Sequence, residues 1–172
     1  MSPPRITALE PSFVTGYWSN LFVGVWRGAP TVAAVNEWER QHKHMAARFP
    51  AGFLSIGIIE AQTPIPDAAT RSALAESMSR IGPSLRAMAG VQEASGFTGA
   101  ALRSVMLALS NLACGPYPRR IFGSSAEAAH WLAPHFDSRL APIGASQILA
   151  VIEEFRRMSE LAGAISGQRA HG

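Results

Sequence analysis

Blocks of apolar residues along the chain predict a succession of strands separated by helices. Residues 12–27 are rich in aromatic and β-branched residues and are divided by Ser19-Asn20, which predicts a β-hairpin. The second half of this block is apolar on both faces, and so is the run at residues 52–59. This pattern is typical of strands that are covered on both sides. Further strands are expected over residues 86–94 and 119–122.

Between these strands, apolar residues recur at spacings of three or four and predict helices. The first helix begins at Val32 after a Thr31 cap, and the second begins after an Asp67 cap. The third is predicted over residues 98–113. His42 lies on the apolar stripe of the first helix. We interpret it as a structural histidine that packs beside Trp38, four residues earlier on the same stripe.

Two further helices are predicted in the C-terminal part. Ser124 and Glu127 form a capping box that begins a short helix. A long amphipathic helix follows within residues 137–166, and its apolar face includes Ile148, Val151, Ile152, Phe155 and Met158. This helix either packs on the domain or forms a dimer interface. If the domain has an apolar pocket, the same helix either roofs the pocket or fills it.

The order of elements predicts an α/β fold. A hairpin is followed by alternating helices and strands, which indicates a mostly parallel sheet of about four to five strands with helices over its faces. We expect a flexible N-terminus at residues 1–11 and an α/β domain at residues 12–136. The amphipathic helix (residues 137–166) and a frayed tail (residues 167–172) follow.

Composition excludes several classes of protein. With 172 residues, 48% of them apolar and 16% charged, the chain is expected to form one compact domain. The net charge is only +3 and the basic residues are scattered, so a nucleic-acid surface is not expected. The single cysteine, Cys114, is interpreted as a buried structural thiol of a cytoplasmic protein. No apolar run has the length of a transmembrane helix or the form of a signal peptide.

Known catalytic motifs are missing. The chain has no glycine-rich dinucleotide fingerprint, no phosphate-binding loop and no Gly-x-Ser-x-Gly elbow, so we expect neither an enzyme nor a bound cofactor. Glu60 follows an apolar strand, at the position where α/β sheets often carry functional carboxylates. The alternative, which we favour, is a solvated residue at a strand end.

The corner after the third major strand resembles that of a known family. Its residues are Glu93, Ala94, Ser95, Gly96 and Phe97. Together with the order of elements over about residues 12–136, and with Gly28 and Thr31 before the first helix, it is similar to STAS domains of the SpoIIAA-like group. In that family an Asp-Ser-Ser-Gly-Leu corner opens a helix, and the serine before the glycine accepts a phosphate.

The resemblance implies a non-enzymatic regulatory module that binds a partner protein. Ser95 would be the phosphoacceptor, and Glu93, Gly96, Phe97 and Thr98 would form the interaction corner. The alternative is that Ser95 or Thr98 only caps the helix. Relatives of the fold resemble SEC14-type carriers, which implies a second hypothesis, a small apolar or lipid ligand held under the last helix. Self-association through that helix is a further expectation.

Overall fold

The computed structural model describes residues 3–94, 96–112, 117–136 and 143–169, with side chains for all of these except 97, 98, 102, 109–112 and 162–169. Within these ranges the chain forms one six-stranded sheet and five α-helices. The strands are β1 (Arg5–Glu10), β2 (Phe13–Trp18), β3 (Leu21–Trp26), β4 (Phe53–Ile59), β5 (Leu85–Gln92) and β6 (Arg119–Phe122). The helices are α1 (Val32–Arg48), α2 (Ala68–Ile81), α3 (Gly96–Leu112), α4 (Ser125–Leu132) and α5 (Ala145–Arg169).

The sheet is mixed, and its strands lie side by side in chain order. The pairings β1–β2 and β2–β3 are antiparallel, whereas the three pairings from β3 to β6 are parallel. The α/β class is therefore confirmed, but the expected count of four to five strands is too low. The missed strand is β1, which lies at the sheet edge and carries exposed Arg5 and Glu10. It lacks the apolar pattern by which the inner strands were identified.

The predicted hairpin is confirmed. Strands β2 and β3 pair from Phe13↔Trp26 to Trp18↔Leu21, which leaves Ser19 and Asn20 as a two-residue turn. Ser19 has a φ of 53°, in the left-handed region that such a tight turn requires.

The predicted caps begin three of the helices. The side chains of Thr31, Asp67 and Ser124 each accept a hydrogen bond from the backbone N–H three residues later, at 3.2, 2.7 and 3.3 Å. Each bond satisfies one of the N–H groups that a helix start leaves unpaired. These three helices therefore begin where the local sequence predicts.

Helices cover both sides of the sheet, and each side has its own core. Helices α1, α2 and α3 lie on one side, called here the α1–α3 face, toward which Phe22, Phe53 and Met88 point. Helices α4 and α5 lie on the other, the α4–α5 face, toward which Val23 and Ile56 point. Because side chains of a strand alternate in direction, neighbouring residues of β4 and β5 belong to different faces.

Helix α5 packs on the sheet of its own chain. Ile148, Ile152 and Phe155 are fully buried against β1–β3, and Val151 is 6% exposed. Gly16 of β2 allows this approach, because a Cβ there would collide with the Arg5 carbonyl oxygen and lie 2.7 Å from the Phe155 ring. Met158 is half-buried, and Leu161, one turn further on, is 50% exposed.

Helix α5 continues to Arg169, beyond residue 166 where the sequence predicts its end. In the described part of the chain, no helix combines the length and the apolar character needed to cross a bilayer. Cys114 lies outside the described residues.

Candidate functional site

A partly open apolar cavity of about 130 Å³ lies on the α1–α3 face. It is enclosed by β3 to β6 below and by α1, α2 and α3 around it. The hypothesis from sequence placed an apolar pocket under the last helix. Of the two alternatives, that the helix roofs a pocket or fills it, the second holds: the α5 side chains fill the space beneath them, and the cavity lies on the opposite face of the sheet.

Glycines form the floor of the cavity. Gly57 of β4 pairs in register with Gly90 of β5, and Gly24 of β3 is the next residue in the same row. A Cβ added to Gly57 would have no heavy atom within 4 Å. A Cβ on Gly90 would meet only the flexible end of Met106, at 2.7 Å, and the Ile121 side chain at 3.5 Å. The cavity therefore exists because two adjacent strands lack side chains at the same level.

Burial along β4 and β5 outlines the cavity independently. On the α4–α5 face, Ile58 and Val91 are fully buried. Their neighbours on the opposite face, Ile59 and Gly90, are only half-buried, as is Met88. Central strands of a sheet with helices on both sides are normally buried on both faces. The exposure of these residues is therefore due to incomplete cover by the helices.

The walls of the cavity are almost entirely apolar. Trp26 and Trp38 are buried along one side, and α2 and α3 contribute Leu74, Met78, Val105 and Met106. Together with Met88, three methionines face the space. Methionine is unbranched and flexible, and it adapts its shape to irregular contents. The site is suited to a compact apolar molecule rather than to polar chemistry.

The cavity opens at a rim that contains prolines and arginines. Pro30, Pro64 and Pro66 border it on the side of the loops before α1 and α2, and Arg119 and Arg120 border it at the edge strand β6. The hydroxyl of Thr63 also faces this region, but it donates to the Trp26 carbonyl oxygen at 2.8 Å. This bond holds the loop after β4 against the end of β3.

His42 lies beside the cavity, in the dense part of the α1–α3 face. Its Nδ1 lies 2.9 Å from the Trp38 carbonyl oxygen, which requires Nδ1 to carry the proton, and its Nε2 accepts from the Ser55 hydroxyl at 2.9 Å. The ring packs against Phe22 and Trp38. Burial lowers the pKa of His42 from 6.5 to about 4, so the ring is neutral at physiological pH. The geometry agrees with the structural role expected for this histidine.

Glu39 joins the two helices that form one side of the cavity. Its carboxylate accepts from the Arg80 guanidinium at 2.7 and 2.9 Å and from the Ser77 hydroxyl at 2.7 Å, and Lys43 lies at 2.7 Å. The hydrogen bonds from Arg80 lower the pKa of Glu39 from 4.5 to about 2 despite its burial. Hydrogen bonds and an ion pair to the ionised Glu39 carboxylate therefore hold α1 against α2.

A charged network lies at the carboxyl ends of the parallel strands. Arg27 follows β3 and binds Glu60, which follows β4, with nitrogen–oxygen distances of 2.8 and 3.0 Å. Glu93 follows β5 and binds Arg156 of α5, which also donates to the Ser125 hydroxyl at 2.9 Å. Arg156 Nε lies 3.9 Å from Glu60 and connects the two pairs.

This network has the character of an anchor rather than of a reactive centre. Its carboxylates are each paired with an arginine, and Glu60 is further held by Gln62 at 3.1 Å. No group of His, Cys, Asp and Glu side chains among the described residues is arranged to bind a metal ion. Glu60 is 8% exposed, so the interpretation of a solvated strand-end residue is wrong. Glu60 instead connects the loop after β4 to Arg156 of α5. Because these two residues are far apart in the sequence, local patterns could not predict this contact.

Only part of the predicted corner lies within the described residues. Gly96 is exposed with a φ of 66° and begins α3, so Gly96, Phe97 and Thr98 belong to the first helical turn. Thr98 therefore does not precede the helix as a cap would. Glu93 belongs to the charged network. Ser95 lies outside the described residues, and so do the side chains of Phe97 and Thr98.

The other predicted surface is the apolar face of α5. Self-association through Ile148, Val151, Ile152 and Phe155 would require these side chains to leave their own sheet.

The cavity was not predicted from the sequence, although Gly57 and Gly90, which form its floor, are glycines within otherwise apolar strands.

Comparisons with known proteins give no assignment: no protein-family model matches the chain, and no curated protein matches it significantly.

Proposed function

We propose that this protein is a non-catalytic binding protein for a small apolar molecule, which it holds in the cavity on the α1–α3 face. The observation that carries the proposal is the open space above Gly57, where a Cβ would touch nothing within 4 Å. Apolar cavities of about 150 Å³ in protein cores stay dry and bind benzene-sized molecules. A carrier or sensor role follows from binding without reactive groups on the walls.

The size of the cavity sets the size of the ligand. A volume of about 130 Å³ accommodates a single ring or a short chain, not a whole phospholipid. The proposal therefore narrows the hypothesis of an apolar or lipid ligand to a small molecule, and it places the binding site away from α5.

The test uses toluene as a probe and backbone amide chemical shifts as the measurement. We expect shifts concentrated at Gly57, Gly90 and the facing turns of α2 and α3. Gly57→Val should abolish them, because its side chain occupies the space. Removal of a strand glycine should keep the fold intact or stabilise it by up to about 1 kcal/mol.

The matched control is Gly24→Ala, in the same row of the sheet but not in the cavity wall. Its Cβ would find ordinary contacts at 3.6–3.8 Å, so toluene binding should persist. Shifts that survive Gly57→Val, or that scatter over the whole surface, would refute the proposal.

Regulation by phosphorylation of Ser95, as implied by the STAS-like resemblance, stays a separate proposal. Its acceptor lies outside the described residues. A Ser95→Asp variant that binds every native partner as well as the wild type would count against it.

A further inference from the structure

Arg119 faces the cavity from the edge strand β6. It pairs in register with Met88, and Ile121 of the same strand pairs with Gly90. Paired residues of adjacent strands point to the same side of a sheet. Arg119 therefore projects on the α1–α3 face, beside Met88 and Ile121, which line the cavity.

The guanidinium of Arg119 has no acidic partner among the described residues. Its described contact is with the Tyr117 ring, whose centroid lies 5.7 Å from Cζ. An aromatic ring carries no net charge, so this contact does not neutralise the guanidinium, which has five N–H donors. By contrast, Arg27 and Arg156 at the strand ends are each bound to carboxylates.

Arg120 also borders the cavity, but it points the other way. Its Cζ lies 5.3 Å from the ring of Phe122, which belongs to the core of the α4–α5 face. Among the described residues, Arg119 is therefore the arginine without an acidic partner that projects on the cavity side of β6. None of the described residues that line the cavity is acidic.

We propose that the natural ligand is a small amphiphilic carboxylate, with its apolar part in the cavity and its carboxylate bound to Arg119. This inference rests on the proposed function, since it assumes that the cavity holds the apolar part. One planar guanidinium matches one planar, singly charged carboxylate and can bind it through two parallel N–H···O bonds. A doubly charged phosphate head would leave one charge uncompensated at this position.

The experiment compares acids with their neutral amides by titration calorimetry and amide chemical shifts. The probes are 3-phenylpropionate and hexanoate, each beside its amide. We expect the wild type to bind at least one acid about tenfold or more tightly than its amide, as for a hydrogen-bonded ion pair. Arg119→Gln should remove this preference and leave the affinity for the amide unchanged.

Arg120→Gln is the matched control, because it removes the same charge one residue away on the opposite face, and the preference should persist. Equal binding of acid and amide to the wild type overturns the inference, and so does equal loss in both arginine variants. Tighter binding of 2-phenylethyl phosphate than of the acid overturns the carboxylate assignment.

The two proposals fail in different ways. If acid and amide bind equally and Gly57→Val abolishes both, the cavity binds apolar molecules and only the ligand class is wrong. If toluene binds but no acid or amide binds at millimolar concentration, only the ligand class is wrong. If toluene, the acids and the amides all fail to bind, or if binding survives Gly57→Val, both proposals are overturned.

Discussion

The two faces of the sheet are packed very differently, although they share the same six strands. On the α4–α5 face, Leu54, Ile56 and Ile58 are fully buried. On the α1–α3 face of the same strand, Gly57 and Ile59 are half-buried beside the cavity. One face therefore fixes the strands, and the other leaves room for a ligand above them. A binding site needs such a rigid support, because a cavity in a deformable core collapses.

The sharpest test of this difference uses two adjacent isoleucines. Ile58→Ala should lower the free energy of unfolding by about 2–5 kcal/mol, the usual range for a buried isoleucine. Ile59→Ala should cost about half as much, since its side chain already borders open space. Urea unfolding followed by circular dichroism measures both. Equal losses would mean that the two faces are equally dense.

A second prediction concerns pH and the dense part of the α1–α3 face. The pKa of His42 falls from 6.5 in the unfolded chain to about 4 in the fold, so the unfolded state binds more protons between these values. The stability should be complete above pH 6.5 and decrease toward pH 4, by about 3 kcal/mol in total.

The measurement is the free energy of unfolding from pH 7 to about pH 5.5, above the range in which carboxyl groups of the unfolded chain, with a pKa near 4.5 as for Glu39, bind protons. His42→Gln should flatten the slope in this window, whatever its effect at pH 7. An unchanged slope would show that other groups are responsible for it.

A smaller effect is expected at the strand ends. Arg156→Gln leaves the partly buried Glu93 without its arginine, whereas Glu60 keeps Arg27, so we expect a loss of about 1–2 kcal/mol. Arg157→Gln is the control, because its pair with Glu154 is exposed and screened by solvent, so its stability should stay close to that of the wild type. If both variants lose the same amount, the network does not anchor α5.

Those elements whose signals are local could be predicted from the sequence. The hairpin turn, the caps at Thr31 and Asp67 and the apolar stripe of α5 depend on residues within one or two turns of each other. Strand β1 was missed because its stability comes from pairing with β2 at a sheet edge rather than from its own apolar pattern.

The site could not be predicted in the same way. Gly57 and Gly90 become neighbours only through the register of two parallel strands. Arg119 faces the cavity only because it pairs with Met88 in that register, and nothing around Arg119 distinguishes it from Arg120 in the sequence. Strand register depends on tertiary packing, which single-sequence patterns do not encode.

Gly57 sets the depth of the cavity. A molecule resting on Gly57 touches the main chain, so the depth available to it depends on a single side-chain position. Alanine, valine and leucine there would raise the floor in steps of one to a few carbon atoms, and the longest homologue admitted should shorten accordingly. The residue at position 57 would then set the length of the longest ligand that this cavity admits.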